Sequence, residues 1–283
     1  MEKVILATRK SPLAVCQAEL VKASIETMYP GMKCELSKLE TTADKHLDWS
    51  LTQMGGKGLF TKELEEKLLE GKVDFAVHSA KDLPSELPMG LMVAGYLKRE
   101  IVHDVLILKK GVKTPKTLAT GSPRRMTQLQ RLFPGCEFKE LRGNVETRLE
   151  KIAKGELADG TILAAAGLKR LKIDTWEGLE FKHLELEQMV PAVGQGAIAI
   201  ECLEGKGSII EKIFDEQTRC SLVVERCFLE MLGGGCHVAY GVYYHQQKLY
   251  LFHESIGFVE LEFNFEEESV RDGVRSIIEN LNL

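Results

Sequence analysis

No stretch of the 283-residue sequence is apolar over the length a bilayer requires, so no membrane-spanning helix is predicted. The first residues, Met1 to Lys10, lack the apolar run of a secretory signal, and the expectation is a cytoplasmic protein. Cysteine is sparse and odd in number, at seven, and the late Cys220, Cys227 and Cys236 lack the paired short spacing of a zinc site. Reduced thiols, mostly in cores, are therefore expected, with no metal. A glycine-rich segment is present, Gly55-Gly56-Lys57-Gly58, but it is not a phosphate-binding loop. That motif needs glycine five residues before its Gly-Lys pair and Ser or Thr after it, and Leu51 and Gly58 occupy those places. An excess of positive charge is also missing. The net charge is -5, and no aromatics interleave the arginines as a stacking platform for nucleic acid would require.

With 44% hydrophobic residues, the chain can fill the cores of two domains and a smaller third. The distribution of charge says more than its total. From Thr120 to Arg170 ten Lys/Arg stand against six Asp/Glu, whereas from Glu201 onward seven stand against fifteen. The middle of the chain prefers an anion.

The stretch Val73 to Pro84 organises the rest. Val73 to Val77 reads as a short buried strand, after which His78, Ser79, Lys81 and Asp82 crowd its carboxyl end before Pro84 stops it. Ligands of open α/β sheets sit at that end, so a carboxylate beside a lysine there can face a substrate and stabilise positive charge forming on it. A solvated Lys-Asp turn before proline is the plainer alternative.

Val4 to Ala7 is a predicted strand, and Ser11-Pro12 supplies the N-cap and first residue of a helix whose free N–H groups lie beside Arg9. Cys34 to Leu39 completes a βαβ unit. Periodicity vanishes from Thr41 to Gly58, which reads as a lid or binding loop, and Leu59 to Glu70 is a helix with Leu64, Leu68 and Leu69 inward. The pattern Leu6-Ala7-Thr8, spacer, Ser11-Pro12 returns as Leu118-Ala119-Thr120, spacer, Ser122-Pro123, so a second lobe repeats the first.

Arg124 and Arg125 fall in the first turn of that second helix, where the dipole disfavours cations. A ligand carrying carboxylates would remove the objection. Arg142, Arg148 and Arg170 recur near other strand ends or helix starts. Each alone could be a solvated surface residue; together they describe a cleft for several anions.

Ala197 to Cys202 is an apolar run with no helix of its own, and it returns the chain to the first lobe. Crossings near Leu97 and Val193 describe a hinge. The expected fold is therefore α/β: two lobes like those of periplasmic binding proteins, with a hinge and a cleft, plus a small C-terminal α+β domain. The expected divisions are residues 1–97 with 194–215, residues 98–193, and residues 216–283. In the last of these Cys236 follows three glycines, which places it on an exposed turn and not in a core.

The segments ATRKSPLA, GGKGLF, AVHSAKDLP, LRGNVETRL, AAGLKRL, PAVGQGA and GGGC, in this order, closely resemble the hydroxymethylbilane synthases, also called porphobilinogen deaminases, over essentially the whole chain. The resemblance implies a transferase that condenses four porphobilinogens head to tail, releases ammonia from each, and frees the linear tetrapyrrole with water. It implies a dipyrromethane cofactor joined by a thioether to Cys236, and Asp82 as the catalytic aspartate. It assigns Lys81, Thr120, Ser122, Arg124, Arg125 and Arg142 to the cofactor, and Arg9, Ser11, Lys57, Phe60, Arg148 and Arg170 to substrate. Porphobilinogen is the expected partner of a monomer that binds neither nucleic acid nor membrane. Ala80, Pro123, Gly233 and Gln53 depart from the family pattern, and none removes a group the mechanism requires. The reading from another class is a non-catalytic bilobal anion-binding protein, which would need neither Asp82 nor an exposed Cys236.

Overall fold

A computed structural model describes residues 3–42, 60–233 and 239–283. Calls that fall on Gln53, Lys57, Cys236 and most of the expected lid loop lie outside the described residues. Among the described residues, the strands form two five-stranded sheets and one three-stranded sheet.

The first sheet grows from β1 (Lys3–Arg9), β2 (Lys33–Leu39), β3 (Phe75–Ser79) and β4 (Leu91–Tyr96). Helix α1 (Pro12–Met28) starts where the Ser11 hydroxyl accepts from Ala14 N and Pro12 needs no partner for a missing N–H. Its Ala18, Val21 and Ile25 meet Val4, Leu6, Phe75 and Val77 in one buried core. Strand β3 starts two residues later than the sequence suggests and includes His78 and Ser79. Antiparallel pairing with a late strand, Ile198 opposite Ser79, holds those polar residues in the ladder. Helix α2 (Lys62–Leu69) buries Leu64 and Leu68 as expected but leaves Leu69 49% exposed. One residue is 100° of helical turn, so Leu69 rotates off the face that Leu68 buries.

The second sheet contains β5 (Asp104–Lys109), β6 (Thr117–Ala119), β7 (Glu137–Lys139), β8 (Gly160–Ala164) and β9 (Leu179–His183). With β10 (Ile198–Leu203) in the first sheet, the orders are β2-β1-β3-β10-β4 and β7-β6-β8-β5-β9. The two orders are equivalent. In each, the fourth strand is antiparallel to both neighbours and is the first strand after a crossing between lobes.

The crossings lie side by side. Leu97 N donates to Ile198 O, Glu100 N to Gly196 O, Arg99 Nε to Gln195 O, and Gln195 Nε2 to Val102 O. Gly196 sits at φ +86°, and a Cβ there would lie 2.5 Å from Glu100 O, so only glycine permits this approach.

Helices α3 (Pro123–Leu132), α4 (Val145–Ala153) and α5 (Ala165–Arg170) serve the second sheet. A short 3-10 segment, Gly207–Ile213, leads to α6 (Glu216–Met231), which packs on the meander β11 (Tyr240–His245), β12 (Lys248–His253) and β13 (Gly257–Glu262), closed by α7 (Val270–Leu281). Val224, Phe228, Val242, Leu249, Leu251 and Val274 form the core of this unit with no exposed surface.

Candidate active site

Parallel pairing puts the carboxyl ends of β1 and β3 on one edge of the first sheet, and those of β6, β7 and β8 on one edge of the second. Lys81 and Asp82 occupy a 3-10 turn (Ala80–Asp82) immediately after β3. This turn is pinned from below, since Ala80 N donates to Ala197 O and a Cβ on Gly194 would stand 3.0 Å from Ala80 and Lys81 backbone.

Arg124 and Arg125 open α3 and are both buried. Their compensating anion is a residue of the protein. Asp104, fully buried at the head of β5, accepts from Arg124 Nη2 at 2.8 Å on Oδ2, and from Arg125 Nε at 3.0 Å and Nη2 at 2.6 Å on Oδ1. Arg124 Nη1 goes to Val190 O and Arg125 Nη1 to Ile162 O. The objection to cations at that helix start, which a ligand's carboxylates were expected to remove, is thus met by a carboxylate of the protein itself. Burial pushes the Asp104 carboxyl up, but Arg124 and then Arg125 outweigh it and hold it at about 2. The triad keeps one formal positive charge.

Charge is coupled across the lobes. Burial first, and then the Arg125 cation, press the Lys81 ammonium down to about 8, against the pull of Asp82 and Asp104. Burial, Arg125 and Arg142 push Arg148 down to about 10, against Asp82. Lys81, Asp82, Arg124, Arg125, Arg142 and Arg148 thus share one electrostatic field, in which five cations meet the carboxylates of Asp82 and Asp104.

The remaining sequence-derived site residues are placed differently. Arg9 lies over the Phe60 ring, 4.6 Å from its centroid, at the end of β1. Ser11 and Ser122 use their hydroxyls as helix caps, and Thr120 Oγ1 accepts from Ser122 N, so these groups build the turns that aim the arginines. Arg148 Nε donates to Gly143 O. Arg170 Nη2 donates to Gly196 O at 2.6 Å, a contact with the crossing segment. Asp104 is the site residue that sequence reasoning missed. Its only signal was an acidic residue at the head of the apolar run Val105 to Leu108.

The family model described as "Porphobilinogen deaminase, dipyromethane cofactor binding domain" matches residues 4–211. The chain belongs to the porphobilinogen deaminase family. Relatives named porphobilinogen deaminase include that of Sulfurimonas denitrificans, 42% identical over 252 residues (86% of this chain, 79% of that protein). That of Campylobacter concisus is 43% identical over 249 residues, 86% of this chain and 80% of that protein. Among solved structures, the Bordetella pertussis BvgS VFT2 domain aligns at a TM-score of 0.47 and 16% identity, covering 75% of this chain and 86% of that one.

The family's cofactor is a dipyrromethane, and the residues present fit a group carrying several carboxylates. This group of side chains is formally cationic by three charges, and Arg124 Nε is a buried donor with no partner among the described residues. A buried donor of this kind costs free energy unless something accepts from it.

Proposed function

We propose that the field between the two strand ends is the active centre of this transferase, with Asp82 its catalytic carboxylate and Cys236 the attachment point of the dipyrromethane. As a porphobilinogen deaminase, the protein condenses four porphobilinogens head to tail with loss of ammonia, and hydrolysis then releases hydroxymethylbilane. The dipyrromethane, when bound, supplies the pyrrole carbon on which the chain is extended. Lys81, Arg142 and Arg148 hold the acetate and propionate groups, and the Arg124–Asp104–Arg125 triad adds its surplus charge. Thr120 and Ser122 act with them by fixing the start of α3. Arg9, Ser11, Lys57, Phe60 and Arg170 serve the incoming substrate.

Asp82 carries the chemistry in this reading. Loss of ammonia leaves positive charge delocalised over the substrate pyrrole, and a fixed carboxylate lowers its energy where surrounding cations otherwise raise it. After the new bond forms, the same oxygen can take the proton that must leave. The observation that carries this is the position of Asp82: a carboxylate from one lobe, on a backbone turn held by Ala197, within electrostatic reach of Arg148 from the other.

Two lobes of residues 1–97 with 194–215 and 98–193, followed by a unit of residues 216–283, are the natural divisions, supported by the three separate sheets. The same reading makes the enzyme a cytoplasmic monomer. Asp82→Asn keeps the shape of the side chain and removes the charge and the base. Turnover should fall at least about 100-fold, the low end for acid–base catalysis, with the cofactor still attached and porphobilinogen still bound. A folded, loaded variant turning over at near the native rate would refute the assignment.

A further inference from the structure

Helix α6 belongs to the unit that carries Cys236, yet its side chains reach the backbone that follows Asp82. Arg226 Nη2 donates to Pro84 O at 2.8 Å and to Ser85 O at 3.2 Å. One helical turn earlier on the same face, Leu222 is fully buried in one apolar cluster with Ala80 and Leu83, the residues that flank Lys81 and Asp82. The turn is thus gripped by one apolar and one charged contact from a single helix.

That helix is itself fixed. Glu225, next to Arg226, is fully buried and accepts from Arg99 Nη1 at 2.5 Å and Nη2 at 3.0 Å, from Gly194 N at 2.8 Å and from Tyr244 N at 3.1 Å. Arg99 and Gly194 belong to the two crossing segments, and Tyr244 to the sheet of the C-terminal unit. Asp215 caps the helix through Thr218 N, and Thr218 Oγ1 accepts from Arg99 N. Arg226 therefore ties the Asp82 turn to a support that four charge-assisted bonds hold in place.

We propose that Arg226 is a positioning residue for Asp82. By holding the Pro84 and Ser85 carbonyls it sets where the carboxylate stands relative to the helix that runs on toward Cys236, and so relative to the growing chain attached there. The proposal rests on the reading of Asp82 as the catalytic carboxylate. A guanidinium suits the task because one Nη group can serve two successive carbonyls, and the bonds persist whatever the state of Asp82.

The test uses cofactor-loaded holoenzyme with porphobilinogen as the probe, and compares Arg226→Met, Arg226→Lys, Asp82→Asn and the double variant Arg226→Met with Asp82→Asn. A misplacement of about 1 Å costs up to about 100-fold in rate, so Arg226→Met should lower kcat between about 10- and 100-fold. KM should change less than about threefold, and mass spectrometry should show the cofactor retained. Arg226→Lys, whose ammonium can still donate to the carbonyls, should recover most of kcat. Because Arg226 acts through Asp82, the double variant should be no more than about threefold slower than Asp82→Asn alone. Native kcat in Arg226→Met beside a crippled Asp82→Asn would overturn the positioning role and leave the Asp82 reading standing. Losses that multiply in the double variant would also overturn it, by showing that Arg226 acts elsewhere. Loss of the cooperative melt or of the cofactor in Arg226→Met, with no kcat defect in the folded Arg226→Lys, would assign Arg226 to the fold and overturn it too. Near-native kcat in Asp82→Asn would remove both readings together.

Discussion

Asp104→Asn is the sharpest probe of how the cleft is built. The substitution keeps the size of the side chain and one acceptor oxygen, and it removes a carboxylate bonded to two buried guanidiniums. Three charge-assisted bonds of 2.6 to 3.0 Å are weakened or lost. Each is worth about 1.5 to 3 kcal/mol in isolation, but they share one carboxylate and do not add. The better guide is the cost of removing one partner from a buried ion pair, about 3 to 5 kcal/mol, because the surviving charges remain buried. Against a typical stability of about 5 to 15 kcal/mol, the variant should fold but melt early. The assay is a urea titration followed by circular dichroism at pH 7, alongside cofactor content by mass. The loss should concentrate in the second lobe, and loading should fall because Arg124 and Arg125 no longer hold their positions. A midpoint change worth less than about 1 kcal/mol with full cofactor content would refute the view that Asp104 makes these arginines tolerable.

Cys236→Ser should yield a protein whose intact mass equals that of its sequence, whereas active native enzyme should be heavier by one dipyrromethane; an unmodified mass in active native enzyme would sink the assignment. Arg142→Leu should impair cofactor loading or stall elongation, visible as accumulated enzyme–substrate complexes on native gels. In the cofactor-free Cys236→Ser background, Lys81 is held at about 8 against 10.5 for a free lysine. The folded state then binds fewer protons than the unfolded one between those values, so the penalty of burying the ammonium is complete below about pH 8 and is relieved as pH rises toward 10.5. Adding Lys81→Met should therefore raise the melting temperature at pH 7 and give a smaller gain at pH 10, and an equal gain at both would count against the depressed ammonium. Phe228→Ala empties the core of the C-terminal unit and should destabilise it by about 3 to 5 kcal/mol, checked by urea unfolding.

What the sequence displays well are features fixed within a few residues of each other. Ser11-Pro12 and Ser122-Pro123 each cap a helix through a contact three residues on, and both caps stand in the structure. The apolar run after Gly196 does return to the first sheet, because a strand without a helix before it must pair where the ladder is open. Partners set by sheet order are hidden. Asp104 reaches Arg124 and Arg125 because β5 is inserted beside β8, one strand from β6, and no local pattern states that order. Arg170 could be placed just after the strand that ends near Ala165 but not aimed; it closes α5, and its bond to Gly196 depends on how the returning segment lies against that helix. Leu69 was misplaced for a local reason, since three leucines in six positions cannot all face one core.

The arrangement of charge explains why so many arginines tolerate one cleft. Asp104 balances one of the two guanidiniums at the start of α3 and leaves the other's charge to act outward. Lys81, Arg142 and Arg148 add to that charge, and burial first, with repulsion from Arg125 second, depresses both the Lys81 ammonium and the Arg148 guanidinium. A second buried aspartate would have relieved the repulsion and closed the site to anions. The balance instead stops short of neutrality, and under the proposed function that surplus would attract ligand carboxylates. Asp82 stands in that field as a carboxylate from the opposite lobe. Under the proposed function, the cations that would bind the acidic side chains would also oppose positive charge on a pyrrole, and a carboxylate among them restores a place where such charge can form.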